Sequence, residues 1–440
     1  MKKNFLILFL GAFLMILSGC AQEEAEKIFA SRFTMKGIVV DVNEAADRDW
    51  VELARTNGIN TISLKGDPSA LVEFVNTDKG LELIGGCESG GIDLEYHLCE
   101  DAGALECQGF QAYAEYVMSY FKQLRPTNHL YYWKKDLPCK TCRRSNDCAK
   151  EASCGRRLAV EKNLLKSLRE MDPQAKLALV IDDPLQFEKP LVDGIFVLYE
   201  GDVEALKGQL PGTLAENMVV AGQLSDPQKL DVIAECGIRN VTAEASLASE
   251  ESLFEYGRGL NLVKIESMTH PWGDVFQETE TTVALIGDNL HLRFDAVDTE
   301  IIYDETFEYE RDMEIGDRIE AYFSKDRELT GYYGFEVDPV GNVMAYKCKY
   351  FKQFEYEWDA PEGFWAKGYI KDNGYVVDVS IPMEFINTMV IDGNIYIGLY
   401  RADYRRVGDE VVRDSYSWRD PGNGIHTFHQ PEIFYHVALF

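Results

Sequence analysis

From residue 35 onward, short runs of β-branched and aromatic residues alternate with stretches whose apolar positions recur every three or four residues. Such runs read as strands, and such stretches as amphipathic helices. The predicted strands are Lys36–Val42, Asn60–Leu64, Gly91–His97, His129–Lys135, Lys176–Ile181, Gly194–Tyr199, Met218–Gln223 and Asn240–Ala245. Helical patterns lie between them over Trp50–Asn57, Gln111–Leu124, Ala159–Glu170, Pro227–Glu235 and Glu251–Tyr256. Parallel strands need crossover connections, so this alternation predicts a parallel sheet. Eight strands fit a (β/α)8-like barrel over residues 35–264, and a doubly wound open sheet would read similarly.

Beyond residue 264 the period changes to two. Val283 and Leu285, then Leu290, Leu292 and Phe294, flank the turn Gly287-Asp288-Asn289 as a hairpin. Further runs follow at Arg318–Phe323, Tyr332–Val337, Val343–Tyr346, Trp365–Ile370, Tyr375–Ile381 and Ile395–Tyr400. Short strands punctuated by turns such as Asp338–Asn342 and Lys371–Gly374 predict an antiparallel β-sandwich over 265–440. The chain is thus expected to be an α/β barrel followed by an all-β unit.

The first twenty residues follow neither pattern. Lys2 and Lys3 precede an apolar run from Phe5 to Leu17, and Leu17-Ser18-Gly19-Cys20 closes it. That is an export signal, too short to span a bilayer. Its ending resembles a bacterial lipobox, which implies lipidation of Cys20, a linker over 21–34, and anchoring at the outer membrane or cell surface. The membrane is then a partner through the lipid alone. A formal net charge of −30 makes nucleic acid a poor partner.

Ten cysteines are present. Cys139, Cys142, Cys148 and Cys154 form a C-x2-C-x5-C-x5-C run whose thiolates can hold a structural zinc ion, or pair as disulfides in an exported chain. Cys87, Cys99 and Cys107 add pairing partners.

A barrel places chemistry at the C-terminal ends of its strands. There the chain offers Asp41, Lys65, Glu95, His97, Asp136, Glu200 and Glu244, among others. Glycoside hydrolysis uses two carboxyl groups and no cofactor, one as acid and one as base or nucleophile. Asp136 is the candidate acid, with Glu200 and Glu244 as partners. For each, a plain loop carboxylate is the alternative. The segment Gly91-Ile92-Asp93-Leu94-Glu95-Tyr96-His97, and the order from Tyr131-Tyr132-Trp133 through Asp136 and the cysteines to Asp172-Pro173, resemble domain-of-unknown-function family 4838. That family is distantly similar to family 67 α-glucuronidases, so the resemblance implies glycoside hydrolysis or a barrel that has lost it.

The residues Asp317–Ser324, Tyr332–Pro339, Tyr400–Asp403, Ser417–Pro421 and Phe428–Phe434 together resemble family 9 carbohydrate-binding modules. Tyr435 departs from the pattern, which usually has Gly there. The resemblance implies a sandwich that binds oligo- or polysaccharide between aromatic rings, with calcium in some members. Trp418 is the expected platform, with Tyr333, Glu320 and Arg401 beside it. The alternatives are core packing for the two aromatics and an ion pair for the two charged residues. The combined expectation is a membrane-anchored carbohydrate-binding lipoprotein taking part in glycan degradation, or a non-catalytic glycan-binding protein with a pseudoenzyme barrel.

Overall fold

The computed structural model describes residues 32–100, 110–135, 154–181, 193–222, 227–265 and 267–439, apart from 274, 307–312, 314 and 351. They form two compact units: Ser31–Leu262 with Ala284–Asp288, and Val263–Val283 with Asn289–Phe440.

In the first unit, eight parallel strands close into a barrel: β1 (Met35–Asp41), β2 (Thr61–Gly66), β3 (Asp93–Glu100), β4 (Leu130–Lys135), β5 (Lys176–Ile181), β6 (Ile195–Tyr199), β7 (Met218–Gly222) and β8 (Asn240–Glu244). Closure is the pairing of β1 with both β2 and β8, which rules out the open sheet. The helices are α1 (Trp50–Thr56), α2 (Pro68–Val75), α3 (Asp78–Gly90), α4 (Phe110–Phe121), α5 (Cys154–Met171), α6 (Gly212–Ala215), α7 (Pro227–Glu235) and α8 (Glu250–Asn261). Capping residues start them: Asp49 accepts from the Glu52 amide, Asp67 from the Ser69 and Ala70 amides, and Ser249 from the Ser252 amide. The helical layer is thinner than a full (β/α)8 barrel, because only a 3-10 turn and the four-residue α6 join β6 to β7.

Strand alternation sorts the side chains. Ile38, Val40, Ile62, Leu64, Leu94, Tyr131, Leu177 and Val197 point outward and pack against the helices with Ala54, Leu71 and Leu253. Met35, Leu130, Tyr132, Ala178, Leu198 and Val219 point inward and form a separate small core in the lumen.

The second unit holds two antiparallel sheets. Its strands are β9 (Leu262–Ile265), β10 (Thr269–Trp272), β11 (Thr279–Ile286), β12 (Asn289–Val297), β13 (Arg318–Ser324), β14 (Tyr332–Val337), β15 (Val343–Cys348), β16 (Phe354–Glu355), β17 (Trp365–Lys371), β18 (Gly374–Pro382), β19 (Asn394–Val407), β20 (Glu410–Ser417) and β21 (Tyr435–Ala438), with the short helix α9 (Met383–Asn387). The larger sheet runs β10-β20-β19-β13-β14-β15-β16, with β21 also on β19. The smaller runs β17-β18-β12-β11-β9. Gly374 closes the β17–β18 hairpin at φ 147°, where a Cβ would meet the Ala296 carbonyl oxygen at 1.9 Å, so only glycine fits.

Every residue of β13 is buried, because the larger sheet carries a core on each face. Ile319, Ala321 and Phe323 alternate with Arg318, Glu320 and Tyr322. The latter face joins Tyr332, Tyr346, Tyr400, Phe428, Ile433 and Phe434 in one cluster. The former faces the smaller sheet, to which Arg401 of β19 donates hydrogen bonds.

Candidate functional site

At the barrel mouth, Glu244 ends β8 with its side chain half exposed, and its carboxylate accepts from Lys65 Nζ at 3.1 Å and Ser246 Oγ at 3.2 Å. Glu200 follows β6 and is exposed. Asp136, the third predicted catalytic residue, lies outside the described residues, as do Cys20, Cys139, Cys142 and Cys148. Cys154 opens α5. Cys87, expected among the pairing cysteines, is a free buried thiol whose pKa burial pushes up to about 12.

Beneath that mouth is a polar column that the strand-end residues only hinted at. Glu95 is fully buried, and its carboxylate accepts from Ser63 Oγ at 2.9 Å and from Asn128 Nδ2. His97 Nε2 stands 3.6 Å from Glu95 Oε2, and the His97 ring lies against Tyr132 with centroids 3.9 Å apart. Burial and the Glu95 charge hold the Tyr132 phenol well above its ordinary pKa, so it stays protonated. Ser63 was missed because lumen-facing positions of a parallel strand look no different from core positions in one sequence.

In the second unit, the four predicted sugar-binding residues do not meet. Register places Glu320 opposite Tyr400 and Glu336, on the face of the larger sheet turned away from the smaller one. Arg401 and Tyr333 alternate onto the other face.

Glu320 is a structural ion pair: it is 2 % exposed and lies 2.9 Å from Arg318 Nη2. Arg318 Nε also donates to Glu336 at 2.6 Å, and Tyr346 Oη donates to the other Glu336 oxygen at 2.8 Å. Burial and the Glu320 charge raise the Glu336 carboxyl despite Arg318. Phe428 stacks on Tyr400 at 4.5 Å, and His429 stacks on Tyr322 at 5.1 Å, so the cluster is covered by the Phe428–Phe434 segment.

Arg401 is likewise out of reach of a sugar, at 0 % exposure. Its guanidinium lies between the Tyr375 and Tyr416 rings, 3.0 Å from Asp298 Oδ2 and 3.4 Å from Asp403 Oδ2. Asp317 adjoins them, accepting from the Ile302 and Tyr404 amides at 2.5 Å each. One oxygen from each of Asp298, Asp317 and Asp403 falls within 4.8 Å of the others. Burial and the Asp298 charge push Asp317 up to about 8. Asp403 Oδ1 has no hydrogen-bond partner.

Trp418 is 8 % exposed. Its amide donates to the Leu399 carbonyl, and its ring lies 4.2 Å from that of Tyr435, the residue that departs from the family pattern. Tyr435 therefore occupies a face that a sugar would need. Tyr333 alone of the four keeps an accessible ring. It is half-buried beside Trp358 (centroids 4.8 Å) and Phe385 (4.9 Å), with Lys347 Nζ 5.7 Å from its centroid. Trp358 and Phe385 carried no motif signal, since they sit in an irregular segment and a short helix.

No protein-family model and no curated protein matches the chain. Among solved structures, a family 9 carbohydrate-binding module from Caldicellulosiruptor kristjanssonii in complex with cellotriose is similar at 12 % identity and TM-score 0.28, over 40 % of this chain and 82 % of that one. An O-GlcNAc hydrolase from Thermobaculum terrenum is similar at 12 % identity and TM-score 0.37, over 52 % of this chain and 60 % of that one. At such scores the fold of this chain rests on its own sheets.

Proposed function

We propose that the chain is a glycan-binding lipoprotein whose second unit, read as a β-sandwich, takes up sugar at the Tyr333–Trp358–Phe385 cluster. The carrying observation is that these three half-buried rings pack together, Trp358 tilted at 50° and Phe385 edge-on at 79° to Tyr333, with an ammonium group above the Tyr333 ring. A pyranose offers apolar C–H faces to such rings and hydroxyls to the flanking donor. The family 9 resemblance supports the same ligand class. Screened on a glycan array, residues 21–440 are expected to retain oligosaccharides. Tyr333→Ala should cost more than about tenfold in affinity with little change in melting temperature. Absence of any glycan retention would overturn the reading.

In this proposal Cys20 carries the lipid anchor at the bacterial surface. Cell fractionation checks it: Cys20→Ala should move the protein from the membrane to the soluble fraction, and unchanged membrane retention would sink the idea.

The trio Asp298, Asp317 and Asp403 fits a calcium ion. All donors are hard oxygens, one of them lacks a partner, and Arg401 faces three carboxyl groups, of which Asp317 would give up its proton as the cation binds. Bound there, the ion would supply the missing positive charge between the sheets. At about 100 times its dissociation constant, calcium is expected to stabilise the protein by about 2.7 kcal/mol. Thermal melts with calcium and with chelator test this, and an identical melting temperature in both rules the site out.

A further inference from the structure

We propose that the outward face of the smaller sheet is a second glycan-binding surface, selective for sugars that carry carboxylates. This rests on the reading of the unit as glycan-binding, and adds a ligand class and a separate surface. Three rows cross that face in register: Trp365, Ser380 and His291; Lys367, Asp378 and Arg293; Tyr369, Val376 and Asp295. The alternating residues Leu292, Phe294, Val377 and Val379 point the other way and are buried. The neighbouring strand β18 carries the smaller side chains, while the edge strand β17 carries Trp365, Lys367 and Tyr369. Tyr369 is 51 % exposed. Four residues apart on one strand, the two aromatics stand about 13 Å from each other, more than the width of one sugar ring.

The charges on this face choose the ligand. Lys367 Nζ lies 5.2 Å from the Trp365 centroid, and it enters no ion pair among the described residues. Arg293 Nη1 is 3.7 Å from Asp378 Oδ1, beyond hydrogen-bond reach, so its donors stay available. Lys371 is neutralised by Asp295. Ser380, His291 and Val376, at 1, 8 and 7 % exposure, are buried between the larger side chains, so the groups left for a ligand are those of Trp365, Lys367, Arg293 and Tyr369. Three cations therefore face two carboxylates, with the Lys367 ammonium beside the half-buried Trp365 ring and the exposed Tyr369 ring farther along the same strand, on a chain of net charge −30. A uronic acid matches this arrangement: its C–H face lies on the ring and its carboxylate meets the cation. At physiological salt the Debye length is about 8 Å, so the local face outweighs the distant negative charge.

Calorimetric titration of residues 21–440 tests the proposal with trisaccharides of galacturonate, glucuronate and mannuronate, each against its carboxyl-reduced counterpart. At least one uronate is expected to bind about tenfold or more tighter than its reduced form. Lys367→Glu should remove that preference, and Tyr333→Ala should leave it intact. Lys367 is exposed, so its substitution leaves folding unaffected, and a thermal melt verifies this. Equal binding of charged and reduced forms, or a preference that survives Lys367→Glu, overturns the inference. Neutral sugars bound through Tyr333 without any uronate preference would overturn it while leaving the proposed function standing.

Discussion

Arg401→Met is expected to cost the second unit about 3–5 kcal/mol, the usual consequence of removing one partner from a buried ion pair. Methionine fills much of the guanidinium's volume, so the loss is electrostatic rather than a cavity. Asp298 and Asp403 would be left facing each other and Asp317 at exposures of 4 % or less, with no cation between them. The hydrogen bonds to Thr279 Oγ1 and the Val297 carbonyl, at 3.0 and 2.9 Å, would go as well. Urea denaturation measures the effect as a lower midpoint. A second variant, Arg401→Met with Asp403→Asn, should recover part of the loss, because it removes one of the stranded charges. A single-variant cost below about 1 kcal/mol would show that water or a bound cation already screens these carboxylates.

Stability is also expected to fall between pH 6.5 and 4 through His429. Burial lowers its pKa to about 4, against the pull of the Glu320 charge, while Lys352 and Arg413 add to the lowering. A group depressed on folding is neutral in the folded chain and takes up a proton more readily in the unfolded one. Its contribution is therefore complete above the unfolded value and is lost as pH falls through the folded one. A shift of this size corresponds to about 3 kcal/mol at most, less where solvent reaches the ring. The physical content is the stack on Tyr322 and the hydrogen-bond contact with Tyr332 Oη at 3.0 Å, a nest with no room for an imidazolium's hydration. Urea midpoints at intervals from pH 7.5 to 4 should slope downward in the wild type. His429→Gln should flatten that slope. An equal slope in both proteins would assign the acid sensitivity to other groups.

The order and period of the strands were legible without coordinates. Lys176–Ile181 and Tyr332–Val337 agree with the observed strands to the residue, and the other barrel strands agree within two or three positions. That follows from local chemistry: β-branched and aromatic runs bounded by turn residues have few other ways to bury themselves. The strand β20 was missed, since Glu410, Arg413 and Asp414 interrupt its apolar run. In the fold, Arg405 pairs with Asp414 at 2.5 Å, which is what admits a charge to that position.

Sequence alone determined that this chain has a parallel α/β unit followed by an antiparallel one, because period and connection length are properties of neighbouring residues. It also singled out Trp418, Tyr333, Glu320 and Arg401. What those residues do was decided only by the tertiary structure. Strand alternation is visible in a sequence, but which face meets the second sheet, and which is covered by the returning Phe428–Phe434 segment, depends on residues about a hundred positions away. Both faces of β13 are buried, so the in–out pattern that separates core from surface does not exist there. Glu320 and Arg401 became interior ion pairs on opposite faces, and Tyr435 closed over Trp418. Tyr333, Trp358 and Phe385 came together from a strand, an irregular segment and a helix.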